Sequence, residues 1–145
     1  MITRLKRMPT LGSSLKRFCE ISGQERLLVL RAVLVVATVS IALFAAGTRL
    51  AKHAGLLAAR GTPTSPVERI AWAVAGVGAC IPGTTCLIRA IALQAMLART
   101  GHSCRVEIGV IKDPEFRAHA WVVAGDRIVL GGPDIKQYGP IATLD

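Results

Sequence analysis

Two side chains in this sequence are suited to covalent chemistry near neutral pH, the thiol of Cys86 and the imidazole of His119. Cys86 opens the segment CLIRAIALQAMLART, whose apolar spacing predicts a helix. A thiol attacks as its thiolate, and a free cysteine has a pKa of about 8.5. A helix N-terminus lowers that value through its unpaired N–H groups and dipole, and a neighbouring imidazole lowers it by taking the proton. His119 opens the predicted strand HAWVVAG. Trp121, two residues on, shares its strand face and could shield a thiol–imidazole pair from water. Taken singly, the helix-start placement of Cys86 says little, and His119 reads as an ordinary strand residue; the other three cysteines read as small buried side chains. His53 and His102 fall at predicted helix ends beside basic or small residues and read as structural.

An imidazole acting as a base needs a third group to accept its other N–H and fix the tautomer. Asp126 and Asp134 are the nearby acids. If Gly125-Asp126 is a two-residue hairpin loop, Ala124 pairs with Arg127 and His119 falls roughly opposite Gly132. Asp126 is then far from His119, and Asp134 is the preferred acid; a backbone carbonyl or an amide could also serve. The other cysteines, Cys19, Cys80 and Cys104, form no C-x-x-C pair and have no paired-histidine motif beside them, so no zinc site is expected. No G-x-x-x-x-G-K loop is present, and no cofactor is expected.

The elements that must position these residues follow from pattern and punctuation. Ser22-Gly23-Gln24-Glu25 has capping-box form and predicts a long helix from Gly23 to about Ala46, with a shorter one over Arg49 to Ala59. Gly61-Thr62-Pro63-Thr64 is a break. Ser65-Pro66-Val67-Glu68 reads as a second capping box with Pro66 at the first helical position. Pro82-Gly83-Thr84-Thr85 turns into the cysteine helix, with Thr84 or Thr85 as N-cap and Gly101 as the C-terminal stop. Cys104 to Val110 alternates as a strand, HAWVVA and RIVL form a hairpin, and GGPDIKQYGPIATLD is loop-rich. Helices followed by antiparallel strands predict an α+β fold, in which the cysteine-bearing helix packs on a small sheet. Residues 1–61 form a basic helical region and 62–145 a catalytic core, together the size of one integrated domain.

Composition narrows the function classes. Hydrophobic residues make up 52% of the 145, which argues against disorder. The net charge is +9, and Arg4, Lys6, Arg7, Lys16 and Arg17 all precede the first acid, Glu20. Nucleic acid is a poor match, because aromatic residues that could stack on bases are only 4%. The uncharged run AVLVVATVSIALFAAGT between Arg31 and Arg49 is slightly short of a bilayer span and lies too far from the N-terminus for a signal peptide. It reads first as a buried helix and second as a segment in or on a membrane. A single crossing would put the catalytic half on the far side from the basic start. With no export signal in view, the cysteines read as reduced thiols in a cytoplasm.

The segments TTCLIRAIALQAMLARTG and RVEIGVIKDPEFRAHAWVVAGDRIVLGGPD, with ERLLVLRAVLVV and SPVERIAWAV before them, resemble the stand-alone leader peptidases of lasso peptide biosynthesis. That family sits among the transglutaminase-like, papain-related cysteine enzymes. The resemblance implies a Cys–His–Asp triad, carried onto Cys86 and His119. The family's acid often stands about twelve positions after the histidine; here that position is Gly131, and Asp134 is a displaced substitute. The implied substrate is a ribosomally made precursor peptide whose leader is cut from its core. The implied partners are a separate leader-binding protein and a cyclase that closes the freed core amine onto an acidic side chain. Two rival readings stand beside it: an amide-transfer enzyme using the same pair, and a non-catalytic membrane-associated scaffold.

Overall fold

The computed structural model describes residues 22–112 and 115–145, with the side chains of residues 133 and 134 outside that description. Three helices, α1 (Gly23–Ala58), α2 (Val67–Cys80) and α3 (Cys86–Arg99), precede a four-stranded antiparallel sheet. Its strands are β1 (Arg105–Ile111), β2 (Arg117–Ala124), β3 (Arg127–Leu130) and β4 (Gly139–Leu144), in the order β3-β2-β1-β4. The fold is α+β, as the sequence predicts.

α1 begins at the expected capping box. Ser22 Oγ accepts from the Glu25 N–H at 3.3 Å, and Glu25 Oε2 accepts from the Ser22 N–H at 3.2 Å. The helix is interrupted at Gly47, whose φ of 81° and ψ of −169° suit glycine alone. Val39 and Gly55 meet across this break: a Cβ on Gly55 would lie 2.9 Å from Val39 Cγ2 and 3.4 Å from Ala95 Cβ. In a straight helix those two positions would be about 24 Å apart. Arg31 Nη1 also reaches Ala58 O, at 3.5 Å. α1 is therefore a helical hairpin, and its two arms match the separate helices expected on either side of Gly47. Arg31, the charge that breaks the apolar run, lies against the last turn of the second arm, where a cation faces the negative end of the helix dipole.

The first arm buries Leu28, Ala32, Val35, Val36, Val39 and Ala42, spaced three and four apart, against a shared core. α3 is the centre of that core: Ile88 and every residue from Ala90 to Leu97 are buried. Ala120 and Val122 of β2 and Val106 of β1 close it from the sheet side. Deleting one of its fully buried leucines, such as Leu93, would cost about 2–5 kcal/mol.

Two local expectations are corrected. Ser65 does not cap α2: Pro66 occupies the N-cap position with no side-chain cap bond, Ser65 O is taken by His102 Nε2 at 3.1 Å, and Glu68 pairs with Arg127 at 2.7 Å. The C-terminal stretch is not a loop. Residues Pro133–Gln137 form a 3-10 turn, and Gly139–Leu144 is the edge strand β4, paired to β1. Pro140 has no N–H, which is tolerated because β4 has a neighbour on one side only.

Candidate active site

Cys86 is the first residue of α3. Thr85 is its N-cap, with Thr85 Oγ1 accepting from the Ile88 N–H at 3.3 Å. The far end closes on Gly101 in a Schellman arrangement, with the His102 N–H on Leu97 O and the Gly101 N–H on Ala98 O. The Cys86 side chain is half-buried and packs against the edge of the helical core. Three residues on, the stem of Arg89 lies so close over Gly78 that a Cβ there would come within 2.3 Å of it. Thr84 Oγ1 and Arg89 Nε are buried beside Cys86 with no hydrogen-bond partner among the described residues. The sequence places Arg89 on a polar face; its cover is Gly78 on a different helix, a contact that no local pattern encodes.

His119 is the third residue of β2, and its ring is held firmly. His119 Nε2 lies 2.6 Å from Gly131 O. A carbonyl oxygen only accepts, so Nε2 carries the proton and Nδ1 is the nitrogen left for a thiol. The ring stands beside Trp121 and Tyr138, with centroids 6.4 and 5.3 Å away. Trp121 is itself fixed, donating from Nε1 to Glu107 Oε2 at 2.8 Å. Its ring lies over Gly109, where any Cβ would meet it at 2.7 Å. The Arg105 guanidinium, at 2.8 Å, and then the Trp121 N–H hold the Glu107 carboxyl below its ordinary range.

The position twelve residues after His119 therefore offers a backbone carbonyl where the resembled family offers an acid. Gly131 has a φ of 144°, and a Cβ there would lie 2.4 Å from Trp121 Cβ and 2.7 Å from Ile135 Cδ1. No side chain fits at that position in this backbone. Asp134 falls in the 3-10 turn, and its side chain lies outside the described atoms. Asp126 is exposed in the hairpin turn, where Ala124 pairs with Arg127 as the two-residue loop requires.

Cys86 and His119 belong to the same end of the molecule. Gln94 Nε2 bonds Leu144 O, and Leu144 pairs with Val106. Cys86 is eight residues before Gln94, about 12 Å along the helix. Gly109, paired with His119, is about 10 Å from Val106 along β1, which leaves the end of α3 through a short connection and returns along it. The two are thus level, but no hydrogen bond joins them. Ala120 and Val122 face the helices, whereas His119 and Trp121 take the alternate face with Ile135 and Tyr138. β3 pairs with β2 only from Val122 onward, so no strand covers His119 on that edge.

Two further thiols are described. Burial pushes Cys104 up to about 11, and Cys80 is exposed at the last turn of α2; Cys19 lies outside the described residues. A cleft between the second arm of α1 and the end of α3 is lined by Leu56, Gln94, His102 and Cys104, at the opposite end from Cys86.

No curated protein and no solved structure matches the chain. A family model described as the transglutaminase-like superfamily matches residues 27–143, which takes in most of α1, the helix that carries Cys86, the strand that carries His119 and nearly all of β4. The chain belongs to the transglutaminase-like superfamily.

Proposed function

We propose that this protein is a cysteine peptidase that removes the leader from a lasso peptide precursor, with Cys86 as nucleophile and His119 as base. Membership of a superfamily that includes cysteine proteases supports the reaction class. The likeness of the TTCLIRAIALQAMLARTG and HAWV segments to lasso leader peptidases supports the substrate. The observation that carries the reading is the His119 Nε2 to Gly131 O bond, which orients the ring and leaves Nδ1 without a partner among the described residues. That bond also favours the carbonyl over Asp134 as the third member.

The reaction begins when Nδ1 takes the Cys86 proton; because His119 shares the Trp121 face of β2 while Cys86 packs on the helical face, the start of β2 must turn toward the helix start as substrate enters. The thiolate attacks the carbonyl carbon between leader and core, and the oxyanion forms beside the free N–H groups at the start of α3. The imidazolium gives its proton to the departing core amine as the C–N bond breaks. Water then attacks the leader thioester, His119 takes its proton, and the thiol is restored. A separate leader-binding protein delivers the precursor, and a cyclase uses the freed amine.

Precursor and leader-binding protein are incubated with wild type, Cys86→Ala and Cys86→Ser, and products are weighed by mass spectrometry. Wild type yields leader and core whose masses sum to precursor plus water, and both variants are silent. Normal cleavage by Cys86→Ala ends the reading; an amine added in place of water makes the protein an amide-transfer enzyme.

A further inference from the structure

The first arm of α1 has a second apolar face that the fold leaves uncovered. Leu27, Leu30, Leu34, Ala37, Ile41 and Phe44 recur at alternating spacings of three and four, on the side away from the core. Five of the six are exposed and Ala37 is half-buried; Ile41 and Phe44 are 71% and 77% exposed. At 100° per residue they span roughly 100° of the helix surface, and they run about 26 Å along it. An apolar strip of that extent normally marks a contact with something outside the molecule.

The chemistry of the strip points to the occupant. Positions flanking a helix–helix seam usually carry charges that set register and choose a partner. Here the flanks from Ala32 to Gly47 are uncharged, and their hydroxyls bond to their own helix: Thr38 Oγ1 donates to Leu34 O and Ser40 Oγ to Val36 O, each at 2.8 Å. The strip therefore presents no polar group in need of water or of a partner's hydrogen bond. Apart from Arg31, which turns to Ala58, the charges nearest the strip are Arg26 at one end, with Glu25 beside it paired to Arg69, and the exposed Arg49 at the other. The sequence ahead of Glu20 carries five further basic residues. An apolar face between cationic ends, on a chain of net charge +9, is complementary to acyl chains beneath anionic headgroups.

We infer that the outward face of the first arm of α1 docks the protein onto an anionic bilayer surface. The arm lies in the interface and does not cross it, because Leu28, Val35, Val36 and Val39 would have to leave the core for lipid to surround the helix.

Full-length protein is sedimented with vesicles of phosphatidylcholine alone and of phosphatidylcholine mixed with phosphatidylglycerol. The companion variant is Ile41→Ser with Phe44→Ser, two exposed positions, with folding checked by circular dichroism. Wild type binds the mixed vesicles, weakly or not at all the neutral ones, and is released by salt and by alkaline carbonate. The double variant, folded, loses roughly tenfold or more in partitioning. No binding to mixed vesicles, or binding unchanged in the double variant, overturns the inference. So does resistance to carbonate, which would mean a spanning helix. A dimer in analytical ultracentrifugation that the double variant splits, without vesicle binding, also overturns it by making a second copy the occupant.

Discussion

Replacing Gly131 with alanine tests the arrangement around His119 without assuming any reaction. A Cβ at that position would sit 2.4 Å from Trp121 Cβ and 2.7 Å from Ile135 Cδ1, against a normal carbon–carbon separation of about 3.5–4.0 Å. Trp121 cannot easily yield: it is 3% exposed and its indole N–H is committed to Glu107. The backbone must give instead, from a φ of 144° that non-glycine residues hold at a cost of about 1–3 kcal/mol. Overpacking adds about 1–3 kcal/mol, for a sum of about 2–6 kcal/mol. At about 3 °C per kcal/mol for a chain of this length, the melting temperature falls by roughly 6–18 °C. Because the carbonyl of residue 131 moves with its backbone, His119 Nε2 also loses its acceptor. Long-range nitrogen–proton NMR of the imidazole should show the Nε2–H tautomer in wild type and a mixture in the variant. A melting temperature within about 2 °C of wild type, with the tautomer unchanged, would refute the reasoning.

Asp134→Asn should keep leader cleavage within about threefold of wild type, whereas loss of a carboxylate that orients a catalytic histidine costs about 10⁴-fold; steady-state kinetics separate the two, and a collapse would return the third role to Asp134. Alkylation with iodoacetamide at pH 8, followed by peptide mapping, should label Cys86 and Cys80 and spare Cys104, whose thiol is pushed up to about 11 by burial. Glu107 is held below its ordinary value by Arg105 and Trp121, so its contribution is present above its unfolded pKa of about 4.3 and is lost as pH falls through the lower folded value. Melting curves between pH 3 and 6 should show a smaller acid loss for Glu107→Gln than for wild type; identical slopes would remove Glu107 from the account. Thr85→Ala should destabilise by about 1 kcal/mol through its lost cap, measured by urea unfolding.

What the sequence shows of this fold is local. The Ser22 capping box, the break near Gly47, the Thr85 cap, the Gly101 stop and the Ala124–Arg127 hairpin each depend on a few adjacent residues, and each is present. Pro66 misled because the capping-box pattern places Ser65 beside the helix, while the Ser65 carbonyl is drawn away by His102, thirty-seven residues on. β4 was hidden because its glycine and proline read as loop, and only pairing with β1 makes the segment a strand. The candidate site was legible to the same extent. Cys86 and His119 stand at a helix start and near a strand start, as their patterns suggest. The acceptor for His119 is a main-chain oxygen, which no residue type announces.

The fold-back at Gly47 bears on topology. A straight α1 crossing a bilayer once would separate the chain's basic beginning from its catalytic half. A helical hairpin has even parity: it returns the chain to the side from which it set out, and Arg31 beside Ala58 marks the return. Ser22 and Cys86, on either side of the hairpin, therefore lie on one side of any surface against which it rests.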